Sequence, residues 1–353
     1  MKFGLHYQLP CTGTQSPVQR YRDTIEQAVH AESLGFESIW PVEQHFNPQL
    51  SIMPAPLLLL TAVAERTTTL RLGIAIVLLP LSHPLRVAEE IAVLDVISNG
   101  RVEFGIGRGS IPTHFSGFGI DQTESRGRMM EALDMIRQAW TSEQVSFHGQ
   151  FYSVDDIAVV PKPVQQPHPP IRAAANSLDT FELMGRLGYP IFVASQVNPY
   201  AKMRELIPVY HQARAAAGHA EARAEDISLL GPLYVGNSQG QIRAELEPSI
   251  RRFLQSVSSI YSSQGQDLGP ESSRIKEVLE RVRRMTYDKV AEVMGIFETP
   301  QACVERLQAL HEEFGMGRMI CWFNPGGTVP HSQVMRSMEL FAAKVMPHFR
   351  DDA

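Results

Sequence analysis

The chain reads as a single α/β domain of the (β/α)8 TIM-barrel type, and three observations carry that reading. Short apolar, β-branched runs bounded by Gly, Pro or Asn recur eight times along 353 residues. Helical patterns stand between them, the alternation that builds a parallel barrel. One run passes straight into a glycine-rich turn bearing an arginine, as a barrel strand delivers a cation to a ligand at its mouth.

The strand-like runs are Lys2–Tyr7, Phe36–Trp40, Leu70–Leu79, Arg101–Ile106, Pro170–Ala174, Pro190–Ser195, Ser228–Val235 and Arg318–Phe323. Between them, Val18, Tyr21, Ile25 and Ala28 share one helical face, as do Val304, Leu307, Leu310 and Phe314, and Val334, Met338, Phe341 and Val345. The apolar stretch Pro54–Leu60 is too short to span a bilayer and reads as a buried helix. A plain barrel takes roughly 250 residues, so two segments are assigned to insertions. Val145–Pro163, with alternating residues around Gly149, predicts a hairpin before the fifth barrel strand. Gln255–Lys289, polar and rich in Ser, Gln and Arg, reads as a lid over the barrel mouth after the seventh strand, or else as a solvated surface excursion.

The bulk numbers narrow the function. With 44% hydrophobic and 20% charged residues the composition is that of a packed protein, and the formal charge of −6 offers no basic field for nucleic acid. Small molecules are the expected partners. Cys11, Cys303 and Cys321 lack metal-site spacing and form no even set, which suits a reducing cytoplasm. The amino terminus has no signal-peptide core and no run reaches the length of a membrane span, so no membrane partner is expected.

In such barrels the working groups sit on the loops after the strands. The fourth loop is Gly105-Ile106-Gly107-Arg108-Gly109, whose glycines allow close approach to a ligand and whose arginine presents a planar fork matched to phosphate or carboxylate. A plain tight turn has the same look. The second loop is Glu43-Gln44-His45-Phe46. Here His45 is either an acid/base group facing the mouth or a histidine satisfied inside its loop, and Glu43 either works with it or caps a helix. His83, before Pro84, reads as a helix entrance. After the fifth strand come Asn176-Ser177-Leu178-Asp179-Thr180. Ser177 and Thr180 either cap the following helix or, at its positive end, hold a phosphate together with Arg108 from the neighbouring loop.

These residues, in this order, resemble the bacterial luciferase family of flavin-dependent monooxygenases. The likeness runs through MKFGLHY, Glu43–Phe46, Gly73–Pro84, Leu94-Asp95, Ser98–Arg101, the FGIGRG turn, Ser125-Arg126, Ser177–Thr180, Thr299–Gln301, Gly327–Val329 and Val345–Pro347. It is closest to the luciferase α subunit. The resemblance implies that Arg108, Ser177 and Thr180 hold the phosphate of FMN, with Arg126 beside them and Asn176 where the family contacts the flavin with a carboxylate. It implies a cis peptide between Ala75 and Ile76 against the flavin ring, and that Gln255–Lys289 is the family's lid.

Two departures stand out. Gln44 replaces the first of the family's paired histidines, and a carboxamide is no base near neutral pH. Gly107 replaces a reactive cysteine, leaving room near the flavin. The family reading is therefore a monooxygenase that takes reduced FMN from a separate flavin reductase and oxygenates a small organic substrate with O2 through a flavin peroxide. Its catalytic candidates are Glu43, Gln44 and His45. Two alternatives stay open: hydride transfer with FMN or a deazaflavin, and a non-catalytic flavin-binding subunit. Leu9, Pro10, Ile111, Phe115 and Phe118 line either an apolar pocket or the core. The resemblance also implies a homodimer through Pro54–Glu65 and Pro84–Val96, and no metal.

Overall fold

Among the described residues, parallel strands close on themselves into an eight-membered ring. In this computed structural model residues 1–350 are described, apart from 12, 14, 263–279, 281, 283 and the side chains of 260–262. In chain order the ring takes β1 (Lys2–Tyr7), β2 (Ser38–Pro41), β3 (Arg71–Gly73) with its continuation β4 (Val77–Leu78), and β5 (Val102–Gly107). The hairpin β6 (Val145–His148) and β7 (Ser153–Ile157) stands outside it. The ring resumes with β8 (Ile171–Ala174), β9 (Ile191–Ala194) and β10 (Ile227–Val235), continues past β11 (Ile296–Glu298), and closes with β12 (Arg318–Trp322), which pairs in parallel with β1. The first helix, Pro17–Leu34, opens with Ser16 accepting from the Gln19 N–H, and Pro17 supplies a preset φ at its first turn.

The strands alternate as a barrel requires. Leu5, Ile39, Leu72, Phe104, Ile106, Ile171, Val193, Leu229 and Met319 face outward into one continuous core with the helices. Trp40, Ala75, Phe192, Leu230 and Ile320 form a separate cluster inside the ring, with Ile76 and Ala194 packed on it.

The lower end of the interior is filled by charge rather than by hydrocarbon. Arg318 donates to Glu103 Oε2 and Oε1 at 2.8 and 3.0 Å and to Glu37 at 3.0 and 3.2 Å. Arg71 adds a second cation on Glu103 at 2.8 Å. Arg172, also buried, donates to the carbonyls of Asp226 and Glu225. Burial alone would raise the Glu103 pKa, but Arg318, Arg172 and Arg71 together bring it down to about 2.

Three features differ from the sequence reading. The third strand is not continuous over Leu70–Leu79: β3 and β4 are separated by Ile74–Ile76, where the Ala75–Ile76 peptide is cis. The backbone there approaches β5 so closely that a Cβ on Gly105 would lie 1.8 Å from the Ile74 carbonyl oxygen. The second difference is β11, an extra strand paired with the far end of β10. The third concerns the segment assigned to a lid. Residues Gln255–Ser262 belong to the long helix Gln239–Ser262, whose turns continue without interruption through that stretch. Tyr287–Val293 is a helix capped by Thr286, whose hydroxyl accepts from the Lys289 N–H. Most of what lies between falls outside the described residues.

At 145–163 an antiparallel hairpin stands before β8. The Glu131 carboxylate holds its turn by accepting from the Gln150, Phe151 and Tyr152 N–H groups. The Pro54–Leu60 run lies in the helix Pro56–Ala64, but only in part buried: Leu59 and Leu60 enter the core whereas Leu58 is 75% exposed. Among the described residues no helix is long and apolar enough to cross a membrane, and no His/Cys/Asp/Glu group is set to hold a metal ion.

Candidate active site

The top layer of the barrel interior, at the C-terminal ends of the strands, is the floor of the mouth. Ile76 follows the cis bond and packs with Ala194 on the Trp40–Phe192 cluster. Gly107 at the end of β5 lies beside Ile76 and Ala174. A Cβ placed there would stand 2.0 Å from Ile76 Cδ1 and 3.6 Å from the Ala174 Cβ. The room expected from the loss of a thiol at Gly107 is thus taken up by the tip of the isoleucine.

Above this floor the loop after β2 carries a fully connected acid–imidazole pair. The buried Glu43 carboxylate accepts from His45 Nε2 at 2.9 Å through one oxygen and from the Leu78 N–H at 2.9 Å through the other. Because a carboxylate only accepts, Nε2 of His45 carries a proton, and in the neutral ring Nδ1 is the basic nitrogen. The His45 N–H in turn donates to Nε2 of His114 at 3.3 Å. His114 is buried, and burial with the neighbouring His45 brings its pKa down to about 4, so its ring stays an acceptor.

Phe118 packs edge-on to the His45 ring at 4.9 Å, and Phe46, held at a φ of 59°, covers Gly117. The second and fourth loops are therefore one packed unit. Gln44 lies between the pair, its buried Oε1 lacking a hydrogen-bond partner.

The loops after β5 and β8, whose strands are paired neighbours, carry the residues expected to hold a phosphate. Ser177 occupies the N-cap position of the helix Leu178–Leu187 but does not spend its hydroxyl on the helix N–H groups. Instead Ser177 Oγ and Thr180 Oγ1 bond to each other at 2.9 Å. The positive end of this helix therefore keeps its capping capacity for a bound anion. Arg108 stands half-buried just beyond β5, and Arg126 pairs with Asp179 at 3.3 Å across the first turn of the same helix. Asn176 is exposed between β8 and Ser177.

A description of luciferase-like monooxygenases matches residues 1–316. The chain belongs to the luciferase-like monooxygenase family. It is similar to the alkanal monooxygenase alpha chain of the Kryptophanaron alfredi symbiont, 26% identical over 364 residues and covering 99% of each chain. Among solved structures it superimposes on a monooxygenase from Streptomyces bottropensis with a TM-score of 0.84 and 27% identity, over 99% of this chain and 100% of that one. A further fold match is the oxygenating constituent of 3,6-diketocamphane monooxygenase from Pseudomonas putida, solved in complex with FMN. Its TM-score is 0.81 at 20% identity, over 100% of this chain and 99% of that one. The chain is an oxidoreductase of this family.

Within that family frame the predicted residues separate into two groups. Glu43 and His45 form one constellation; Ser177 and Thr180 bond to each other, Arg126 reaches Asp179 on the same helix, and Arg108 lies on the neighbouring loop. Phe115, a candidate for an apolar pocket, is a core residue packed against Leu78 and Leu81, whereas Leu9 packs against Met53 and Leu59 and also lines a small cavity with Tyr7 and Gln8. His83 is the helix entrance, its Nδ1 accepting from the Leu85 N–H. Two groups escaped the sequence. His114 sits in a short helix without a motif, and its role appears only when the loops are brought together. His6 and Trp322 were read as strand residues, although alternation from the outward Leu5 and the inward Ile320 places them on the inner face.

Proposed function

We propose that this chain binds reduced FMN at the barrel mouth and uses it with O2 to oxygenate a small organic substrate, the reduced flavin coming from a separate reductase. The observation that carries the reading is the start of the helix Leu178–Leu187, where the Ser177 and Thr180 hydroxyls bond to each other and not to the helix N–H groups, on the loop next to the one that bears Arg108 and at the edge of a floor containing a cis peptide. The residues fit the group: Ser177, Thr180, Arg108 and Arg126 would hold its phosphate, with Asn176 nearby, and Ala75 and Ile76 would lie beneath its ring. Bound reduced flavin supplies the two electrons by which O2 delivers one atom to the substrate and the other to water.

The protein's share is binding, exclusion of water and proton handling. Glu43 fixes the His45 tautomer and leaves Nδ1 to take or return a proton, the task that Gln44 cannot perform. Gln44 offers a buried carbonyl acceptor in its place. Replacing Arg108 with alanine is expected to weaken FMN binding by roughly 1.5–3 kcal/mol, the scale of a hydrogen bond to a charged group. Anaerobic titration of reduced FMN measures it, and an affinity unchanged within about twofold removes Arg108 from the phosphate seat. An oxygen pulse then separates the chemistries, because product formation without O2 uptake would indicate hydride transfer instead.

The homodimer is proposed through the helices Pro56–Ala64 and Pro84–Ile97, which pack together and carry the exposed Leu58, Val93, Val96 and Ile97. Leu58→Lys is expected to convert dimer to monomer in light scattering. A monomeric parent protein would end that proposal.

A further inference from the structure

His114 is a buried titratable group at the mouth that neither the flavin seat nor the Glu43–His45 pair accounts for. Its helix, Pro112–Phe118, opens just beyond the Arg108 turn and ends at Gly119, whose φ of 68° closes it. His114 and Phe118 stand one turn apart on that helix and so share a face. The face meets the His45 ring, with Phe118 edge-on at 4.9 Å and His114 edge-on at 5.4 Å. His114 is the inner of the two, 2% exposed against 44% for Phe118.

The task of the imidazole follows from its bond. The His45 N–H lies beyond the end of β2 at Pro41, outside the strand ladder, and donates to His114 Nε2 at 3.3 Å. Nε2 therefore carries the lone pair and Nδ1 the proton of the neutral ring. Burial first, and the neighbouring His45 second, hold that neutral form by bringing the pKa down to about 4. A buried amide without an acceptor is costly, and an apolar side chain at 114 would leave it so. A carboxylate there would satisfy the amide but set a second negative charge beside that of Glu43. A neutral histidine supplies the acceptor without the charge. His45 is thus held at two points, its Nε2–H on Glu43 at 2.9 Å and its main-chain N–H on His114.

We propose that His114 is a positioning residue for proton transfer, anchoring the main chain of His45 so that Glu43 can keep the imidazole in one orientation and one tautomer. Glu43 fixes the tip of the side chain and His114 its root. The assignment deepens the monooxygenase reading and rests on it for calling His45 a proton carrier, whereas the anchoring itself needs neither flavin nor substrate.

The test compares, in the full chain, His114→Leu, which removes the acceptor, with His114→Gln, whose Oε1 can take its place. Each is made alone and together with His45→Phe. Oxygen uptake with saturating reduced FMN should show kcat about 10–100-fold lower in His114→Leu, the scale of an orienting partner, with FMN affinity within about twofold of the parent. His114→Gln should recover kcat to within about threefold, since the acceptor is restored. Once His45 is phenylalanine, His114→Leu should cost less than about twofold more, because both changes then act on one missing group. The second readout is the imidazole nitrogen resonances of histidine-labelled protein without flavin, those of His45 being identified by their loss in His45→Phe. At mildly alkaline pH the parent and His114→Gln should show a protonated Nε2 and a basic Nδ1 at His45, and His114→Leu should move both towards the average of two tautomers. Equal loss of kcat in the Gln and Leu variants, an undiminished loss in the His45→Phe background, or His45 resonances unmoved by His114→Leu overturns the proposal. If His45→Phe alone keeps the kcat of the parent, His45 is not the proton carrier, and the resonances alone decide whether His114 anchors it.

Discussion

His45→Phe is expected to lower kcat by roughly 10²–10⁴-fold, the range supplied by a positioned proton carrier, with FMN affinity held within about twofold of the parent. Phenylalanine keeps the ring that packs against Phe118 and His114 and removes both nitrogens. The change therefore separates proton handling from packing. Glu43→Gln is the companion: its carbonyl oxygen can still accept from His45, but the amide that replaces the second oxygen faces the Leu78 N–H, donor against donor. A loss of about 10–100-fold is expected, on the scale of an orienting partner. Steady-state oxygen uptake with saturating reduced FMN measures both, and a His45→Phe enzyme with undiminished kcat would assign the proton elsewhere.

Arg318→Met is expected to destabilise the fold by about 3–5 kcal/mol, because it leaves Glu103 and Glu37 buried or half-buried beside a vanished cation. Denaturant titration gives the value, and a change under about 1 kcal/mol would show that Arg71 and Arg172 suffice for Glu103. The same cluster sets the response to acid. Glu103 has its pKa depressed to about 2, so the stability it contributes is complete above the ordinary carboxylate range near 4.5 and is lost as pH falls towards 2.

Two buried histidines act at higher pH. His6 and His114, brought down from about 6.5 to about 4, bind fewer protons folded than unfolded, so stability also declines as pH falls through that interval. Melting temperature should therefore drop in two stages between pH 6.5 and 2, and Glu103→Gln should start lower and lack the second stage.

The barrel was legible because its signals are local and repeated: eight apolar, β-branched runs bounded by Gly, Pro or Asn, with helical faces of period 3.6 between them. Arg108 and Ser177 were legible as residue types at the right strand ends. What stayed hidden depends on contacts between distant segments. The break in the third strand follows from the absence of a side chain at Gly105, thirty residues on, which lets the Ile74 carbonyl in. His114 becomes part of the site only because its helix folds back on the β2 loop. Arg318 and Glu103 looked like ordinary strand residues, since the alternation that turns a side chain inward does not say that a salt bridge rather than leucine will fill the barrel's lower end. The start of the segment assigned to a lid was hidden too, because the helix that begins at Gln239 runs on through Gln255–Ser262.

One carboxylate joins two functions. Glu43 spends one oxygen on the imidazole of His45 and the other on the Leu78 amide, two residues beyond the floor residue Ile76. The segment that carries the floor and the loop that carries the imidazole are therefore tied through a single side chain, so a substitution at Glu43 loosens both ends at once.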